Sequence, residues 1–170
     1  MPNITCTFFG HRKIEDAENL KDKVYEVAEN LILNHKVKTF LFGSKSEFNS
    51  LCENALSELK EKYPDIKRIY IRAEYPYISG NYEKYLLKSF EETYFPNNAI
   101  NSGKAVYVER NKEMIDKSDF CIFYYKEDYK PQERKHSKSD LSSYQPKSGT
   151  KLAYDYALKK NKKIINIAID

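Results

Sequence analysis

The sequence predicts an α/β protein with a doubly wound parallel sheet of about five strands and helices on both faces. Five short apolar runs recur along the chain, each ending in a small or polar cluster, and stretches with helical periodicity separate them. Strands that alternate with helices form a parallel sheet covered on both sides. With 170 residues, 41% of them hydrophobic, the chain is expected to fold as a single domain, 1–170, around a sizeable core.

The strands are predicted from runs of β-branched, aromatic and other apolar side chains. In chain order these runs are residues 4–9, 39–42, 66–71, 119–125 and 163–167. The first run stops at Gly10 and the second at Gly43 and Ser44, whereas Pro64 separates the third from the stretch before it.

Four stretches have apolar residues at three- and four-residue steps, which indicates helices with one buried face. In the first stretch these residues are Ala17, Leu20, Val24, Val27 and Leu31. The predicted helices are residues 17–31, 48–59, 105–117 and 151–160. In the third helix Arg110 and Met114 share a face, and Met114 is expected in the core.

Two segments interrupt the alternation. Residues 75–100 hold a helix-like stretch, 82–94, bracketed by Pro76, Gly80 and Pro96, which predicts a helical insertion after the third strand. Residues 126–147 are polar, charged and Ser-rich. Because long loops in compact domains are often functional, we expect this segment to form a mobile lid over a pocket.

Composition excludes several classes of protein. The net charge of +4 permits contact with nucleic acid without indicating it. No apolar run approaches the roughly 20 residues that cross a bilayer, and the N-terminus lacks the pattern of a secretory signal. The three cysteines form no CxxC pair, and the three histidines are not spaced as zinc ligands. A cytoplasmic protein without a metal, a cofactor or a membrane partner is expected.

A ligand site is predicted where the strands end, because ligands of doubly wound sheets bind at the carboxyl ends of the strands. The residues expected there are Gly10, His11, Arg12, Gly43, Ser44, Arg72 and Tyr124, together with Arg110 from the third helix. The start of the last helix, Ser148-Gly149-Thr150, is expected to join them. Its free backbone N–H groups and the positive end of the helix dipole suit a phosphate.

Each of these residues also has an interpretation without a ligand. Gly10 and Gly43 fit plain turns, Ser44 fits helix capping, and Arg12 fits a solvated surface. As ligand residues, Arg12 would pair bidentately with phosphate and His11 would donate to phosphate or ribose. The chain has 15 tyrosines and no tryptophan; Tyr124 and its neighbours suit either stacking on a base or an oligomer interface.

Taken in order, four parts of the chain resemble the SLOG superfamily, the Rossmann-like group that contains the Smf proteins and the Lonely Guy phosphoribohydrolases. They are residues 9–12, residues 42–44 with 47–49, residues 110–119, and residues 148–153. The likeness is strongest to the YspA/YpsA-like branch of small, single-domain bacterial and phage proteins. The resemblance implies a nucleotide-derived ligand, such as a cyclic or ADP-ribose-like signal, and self-association into a homo-oligomer.

Departures from the Lonely Guy motif favour binding over catalysis. The position of its glutamate is Leu152, Ser148 stands where a glycine is usual, and Asn49 replaces an aspartate of the related branch. A glycosidase needs such a carboxylate. Two alternatives remain: an N-glycosidase acting on nucleoside monophosphates through Glu47 or Asp155, and a DNA-binding module like the Smf proteins.

Overall fold

The structure, a computed structural model, describes residues 3–130 and 148–168. Within these residues six strands form one sheet. The strands are Ile4–Gly10 (β1), Val37–Phe42 (β2), Lys67–Ile71 (β3), Glu92–Tyr94 (β4), Phe120–Tyr124 (β5) and Lys163–Asn166 (β6). The helices are Ala17–His35 (α1), Glu47–Lys62 (α2), Gly80–Leu86 (α3), Val106–Asp116 (α4) and Gly149–Lys159 (α5), with short 3₁₀ turns at Asn97–Ala99 and Gly103–Ala105.

The sheet is doubly wound, as predicted. Its order is β4-β3-β2-β1-β5-β6, and every neighbouring pair is parallel. Successive strands run outward from β1 through β2 and β3 to β4, and the chain then crosses to the other side of β1 to add β5 and β6. The winding therefore reverses between β1 and β5, which is where such folds open a crevice for ligands.

Two cores cover the two faces, because successive strand residues point to opposite sides. Phe8 packs in the core that includes the buried faces of α1 and α2, whereas Phe9 packs with α4 and α5. Phe40 and Leu41 on β2 divide in the same way. This alternation confirms the predicted covering of the sheet by helices on both faces.

The predicted helical insertion needs a correction. We expected one helical stretch over residues 82–94, but α3 ends at Leu86 and Glu92–Tyr94 forms a sixth strand at the sheet edge. This strand has three residues, only one of them aromatic, so it lacks the apolar run that marked the others. It is held by pairing with β3 and by the Thr93 hydroxyl, which donates to the Tyr70 carbonyl at 2.8 Å.

Three further expectations concern the cysteines, a membrane-spanning helix and the predicted lid. The three cysteines are all buried and unpaired with one another, as small apolar core residues are. In the described ranges no helix is long and apolar enough to span a bilayer. Most of the predicted lid, residues 131–147, lies outside the described residues.

Gly10, the last residue of β1, is required by the packing of α2. A Cβ atom at this position would lie far inside contact distance of the Phe48 ring. The same ring stacks on Tyr124 with centroids 5.7 Å apart. Gly10 therefore allows Phe48 to pack directly against the ends of β1 and β5.

We predict that Gly10→Ala lowers the free energy of unfolding by about 1–3 kcal/mol, because overpacking forces the Phe48 ring to move. Urea denaturation measures the change. Gly80→Ala is the matched control, since no heavy atom lies within 4 Å of a Cβ placed at Gly80, and its stability should be unchanged or slightly higher. In a Phe48→Leu background the cost of Gly10→Ala should shrink; an equal cost in both backgrounds would contradict this packing.

Candidate functional site

His11 is the first residue after β1 and lies at the reversal point of the sheet. Its backbone N–H donates to the Tyr124 carbonyl at 3.4 Å, which continues the β1–β5 pairing. Its side chain is 1% exposed. Nε2 accepts a hydrogen bond from the Lys126 N–H at 2.8 Å, and the imidazole stacks on Tyr129 with centroids 3.9 Å apart. His11 thus joins the loops that follow β1 and β5.

The other ring nitrogen of His11 is unsatisfied. Nδ1 is buried and has no hydrogen-bond partner among the described residues. Because Nε2 acts as an acceptor, a neutral ring carries its proton on Nδ1. Burial is the main reason why the pKa of His11 is lowered; the charge of Lys126 acts in the same direction, whereas the backbone hydrogen bond of Lys126 and the charge of Asp128 oppose it. The site therefore contains a neutral imidazole with a buried N–H donor.

The start of α5 is formed as the sequence predicts, but its amides are already capped. The Ser148 hydroxyl accepts from the N–H groups of Thr150 at 3.1 Å and Lys151 at 3.4 Å. Ser148 and Thr150 are both buried, whereas Gly149 is exposed and has open space beside its Cα. An anion that binds these two amides must replace the Ser148 hydroxyl as their acceptor.

Arg110 lies elsewhere, at the carboxyl ends of β2 and β3. It is 5% exposed, and its Nη1 donates to the carbonyls of Gly43 and, at 3.5 Å, Ile71. Nε donates to Asn111 Oδ1 at 2.8 Å. Burial lowers its pKa, and no carboxylate in the described part of the chain forms an ion pair with it. This guanidinium is bonded to backbone, not directed toward α5.

The other two predicted arginines form hydrogen bonds with other parts of the chain. Arg12 is exposed, and its carbonyl accepts from the N–H of Glu47 at 3.0 Å. Arg72 donates to Thr93 at 3.1 Å and to two carbonyls of the following turn at 3.2 and 3.3 Å. It fastens that turn to the edge of the sheet.

The remaining predicted residues, Gly43, Ser44 and Tyr124, are in contact with other parts of the protein. A Cβ atom at Gly43 would lie 2.9 Å from atoms of Arg110, Ile71 and Met114, so its open side is occupied by protein. The Ser44 hydroxyl accepts from the Ser46 N–H at 3.3 Å. Tyr124 is buried between His11 and Phe48. The structure thus brings together Gly10, His11 and Tyr124, whereas Arg72 and Arg110 donate to backbone carbonyls beyond the ends of β2 and β3.

Sequence reasoning missed a groove between α2 and the segment that begins with α3. Two adjoining cavities of about 430 and 310 Å³ lie there, and both are lined by Ser50, Glu53, Ser89 and Phe90. Ser44 reaches the larger of the two. The groove depends on how α3 folds back over β3, and nothing in the spacing of these residues along the chain indicates it.

Comparison with known proteins gives no assignment, since no family model and no curated protein matches the chain. Over residues 3–130 and 148–168, no three histidine, cysteine or acidic side chains are grouped as metal ligands.

The buried His11 predicts a specific pH dependence of stability. Its pKa is lower in the folded protein than the ordinary value of about 6.5 in the unfolded chain. The unfolded state therefore binds more protons below that value, and the protein loses stability as the pH falls from 7 toward 5. One such group contributes at most about 1.4 kcal/mol per pH unit.

We expect His11→Gln to flatten the slope of unfolding free energy against pH relative to the wild type. Urea denaturation at closely spaced pH values between 5 and 7.5 measures it. His35→Gln, at an exposed histidine, controls for the substitution itself. An unchanged slope in His11→Gln would show that another group causes the dependence.

Proposed function

We propose that this protein binds a nucleotide or nucleotide-derived signal, without turnover, in the crevice between the ends of β1 and β5. The observation that carries the proposal is the unsatisfied Nδ1–H of His11, buried at the reversal point of the sheet. Buried polar groups are nearly always hydrogen-bonded. A donor left without a partner at this point of a doubly wound sheet suits an acceptor brought by a ligand.

The phosphate would lie at the start of α5. That helix follows β5, so its first turn belongs to the same edge of the sheet as His11. The exposed backbone at Gly149 gives room for an anion, and the N–H groups of the first turn with the helix dipole favour negative charge. In the liganded protein the Ser148 hydroxyl would rotate and donate to the phosphate instead of accepting from Thr150.

The absence of turnover is supported by the state of the acids that the alternative reaction would need. Glu47 accepts from the Ile14 N–H at 2.9 Å, and Asp155 pairs with Lys151 at 3.0 Å. Leu152 occupies the position that holds a glutamate in the Lonely Guy motif. We propose membership of the SLOG superfamily on the sequence motifs, and a sensing or sequestering role with them.

The test is calorimetric titration of the purified protein with mono-, di- and cyclic nucleotides and with ADP-ribose. We expect at least one to bind, and Gly149→Asp to weaken it by at least tenfold, because the new carboxylate repels the phosphate. An acidic residue in the first turn also favours the helix by about 0.3–1 kcal/mol, so the variant should remain folded.

Gly80→Asp makes the same substitution at the first residue of α3 and serves as the control, with affinity expected to match the wild type. Absence of measurable binding for every nucleotide tested and for ADP-ribose would contradict the proposal. Equal affinity of Gly149→Asp and the wild type would contradict the placement of the phosphate at the start of α5.

A further inference from the structure

The groove between α2 and α3 has the dimensions and chemistry of a second small-molecule site. Its larger cavity, about 430 Å³, falls within the range of ligand pockets. Aromatic rings from β3 and α3 line it, namely Tyr70, Tyr82 and Tyr85. The rings of Tyr82 and Tyr85 lie 6.2 Å apart and are inclined at 61°, so the wall presents ring faces in two directions.

One carboxylate faces this aromatic wall. Glu53 lines both cavities and is half-buried, and in the described part of the chain it forms no ion pair. Burial raises its pKa, as desolvation of an uncompensated carboxylate does. The acids nearby are placed differently: Glu91, for example, pairs with Arg68 at 3.0 Å. Glu53 is therefore an acceptor that is partly withdrawn from water and, among the described residues, has no paired cation.

A second polar group behind Glu53 is also incomplete. Asn49, one helical turn earlier on α2, is 0% exposed, and neither Oδ1 nor Nδ2 has a hydrogen-bond partner among the described residues. Its amide lies close enough to Glu53 to lower the pKa of that carboxyl in part, yet the pair stops short of a well-formed hydrogen bond. A small shift of Glu53 lets Asn49 Nδ2 donate to one carboxylate oxygen and fix its orientation.

We infer that this groove binds a planar heterocycle that presents two adjacent N–H donors, as the N1–H and 2-amino groups of guanine do. The two oxygens of Glu53 accept the two donors side by side, which is the geometry that makes carboxylate pairs strong and specific. The ring lies against Tyr82 and Tyr85, where stacking does not depend on the identity of the base. Asn49 acts as a positioning residue for Glu53. This site is separate from the one proposed at α5.

The chemistry of the groove favours a flat heterocycle over a flexible cation. A polyamine would satisfy the charge of Glu53, but Lys45 and Lys88 line the same cavity and would repel it, and it has no planar face to match the tyrosine rings. Adenine, by contrast, has an aromatic face but places an acceptor beside its amino group. Both ligands therefore serve as tests of the assignment.

Titration with nucleosides, which carry no phosphate, tests this site apart from the one at α5. We expect guanosine to bind, and inosine, which lacks the 2-amino group, to bind about tenfold or more weakly because one charge-assisted hydrogen bond is lost. Glu53→Gln should lower guanosine affinity by a similar factor. Glu61→Gln, the same change at an exposed position of α2 outside both cavities, should leave it unchanged.

Asn49→Leu separates positioning from general support of the fold. If Asn49 orients the carboxylate, the variant loses the preference for guanosine over inosine while both still bind weakly through stacking. A loss that is equal for the two nucleosides, with the preference intact, would overturn the positioning role.

The assignment of the groove fails if guanosine does not bind at millimolar concentration or if inosine or adenosine binds as well as guanosine. It also fails if Glu53→Gln has no effect, or if spermidine binds in a Glu53-dependent manner. Gly149→Asp should not alter guanosine binding. Failure of guanosine to bind would contradict the groove site alone, because the site at α5 is tested separately by the nucleotide titrations.

Discussion

The carboxyl edge of this sheet is organised around one buried cation. Arg110 reaches from α4 to the carbonyl oxygens of Gly43 and Ile71, where β2 and β3 end. Removing a guanidinium from water is costly unless it is well bonded. Carbonyl dipoles, not a carboxylate, make that compensation here. The arrangement ties α4 to both strands and explains why position 43 is glycine, since any Cβ would meet the arginine stem and the Ile71 carbonyl.

The polar groups of interest lie in two regions. In the first, β1 and β5 end beside His11, with the first turn of α5 following β5. In the second, α2 and the segment that begins with α3 flank the groove that contains Glu53. Two glycines among the predicted ligand residues are close to side chains, Phe48 at Gly10 and Arg110 at Gly43. They set the positions of the helices, and the helices in turn set the positions of the polar groups.

How much the sequence predicts depends on whether the signal is local. The doubly wound sheet follows from apolar runs and helical periodicity, and it is confirmed. The pairing of Arg110 with Met114 on one helix face is also local, and both side chains are buried. The strand β4 was missed because three residues at an edge carry no periodicity. The burial of His11 depends on Lys126 and Tyr129, and the groove beside Glu53 depends on the segment that begins with α3. These neighbours are distant in the chain, and no spacing rule reports them.

Both proposals rest on buried polar atoms that have no hydrogen-bond partner. Within the described residues they belong to two side chains, His11 and Asn49. His11 directly follows β1, and Asn49 lies in the first turn of α2, the helix that follows β2. An unsatisfied buried group costs about 1–3 kcal/mol, a large share of the stability of a domain of this size. A ligand that supplies the missing partner restores that energy on binding, and at a concentration of 100 times its Kd it stabilises the fold by about 2.7 kcal/mol. Under the two proposals, the partner of His11 would come from the ligand itself, whereas the partner of Asn49 would be the Glu53 carboxylate that a ligand holds in place.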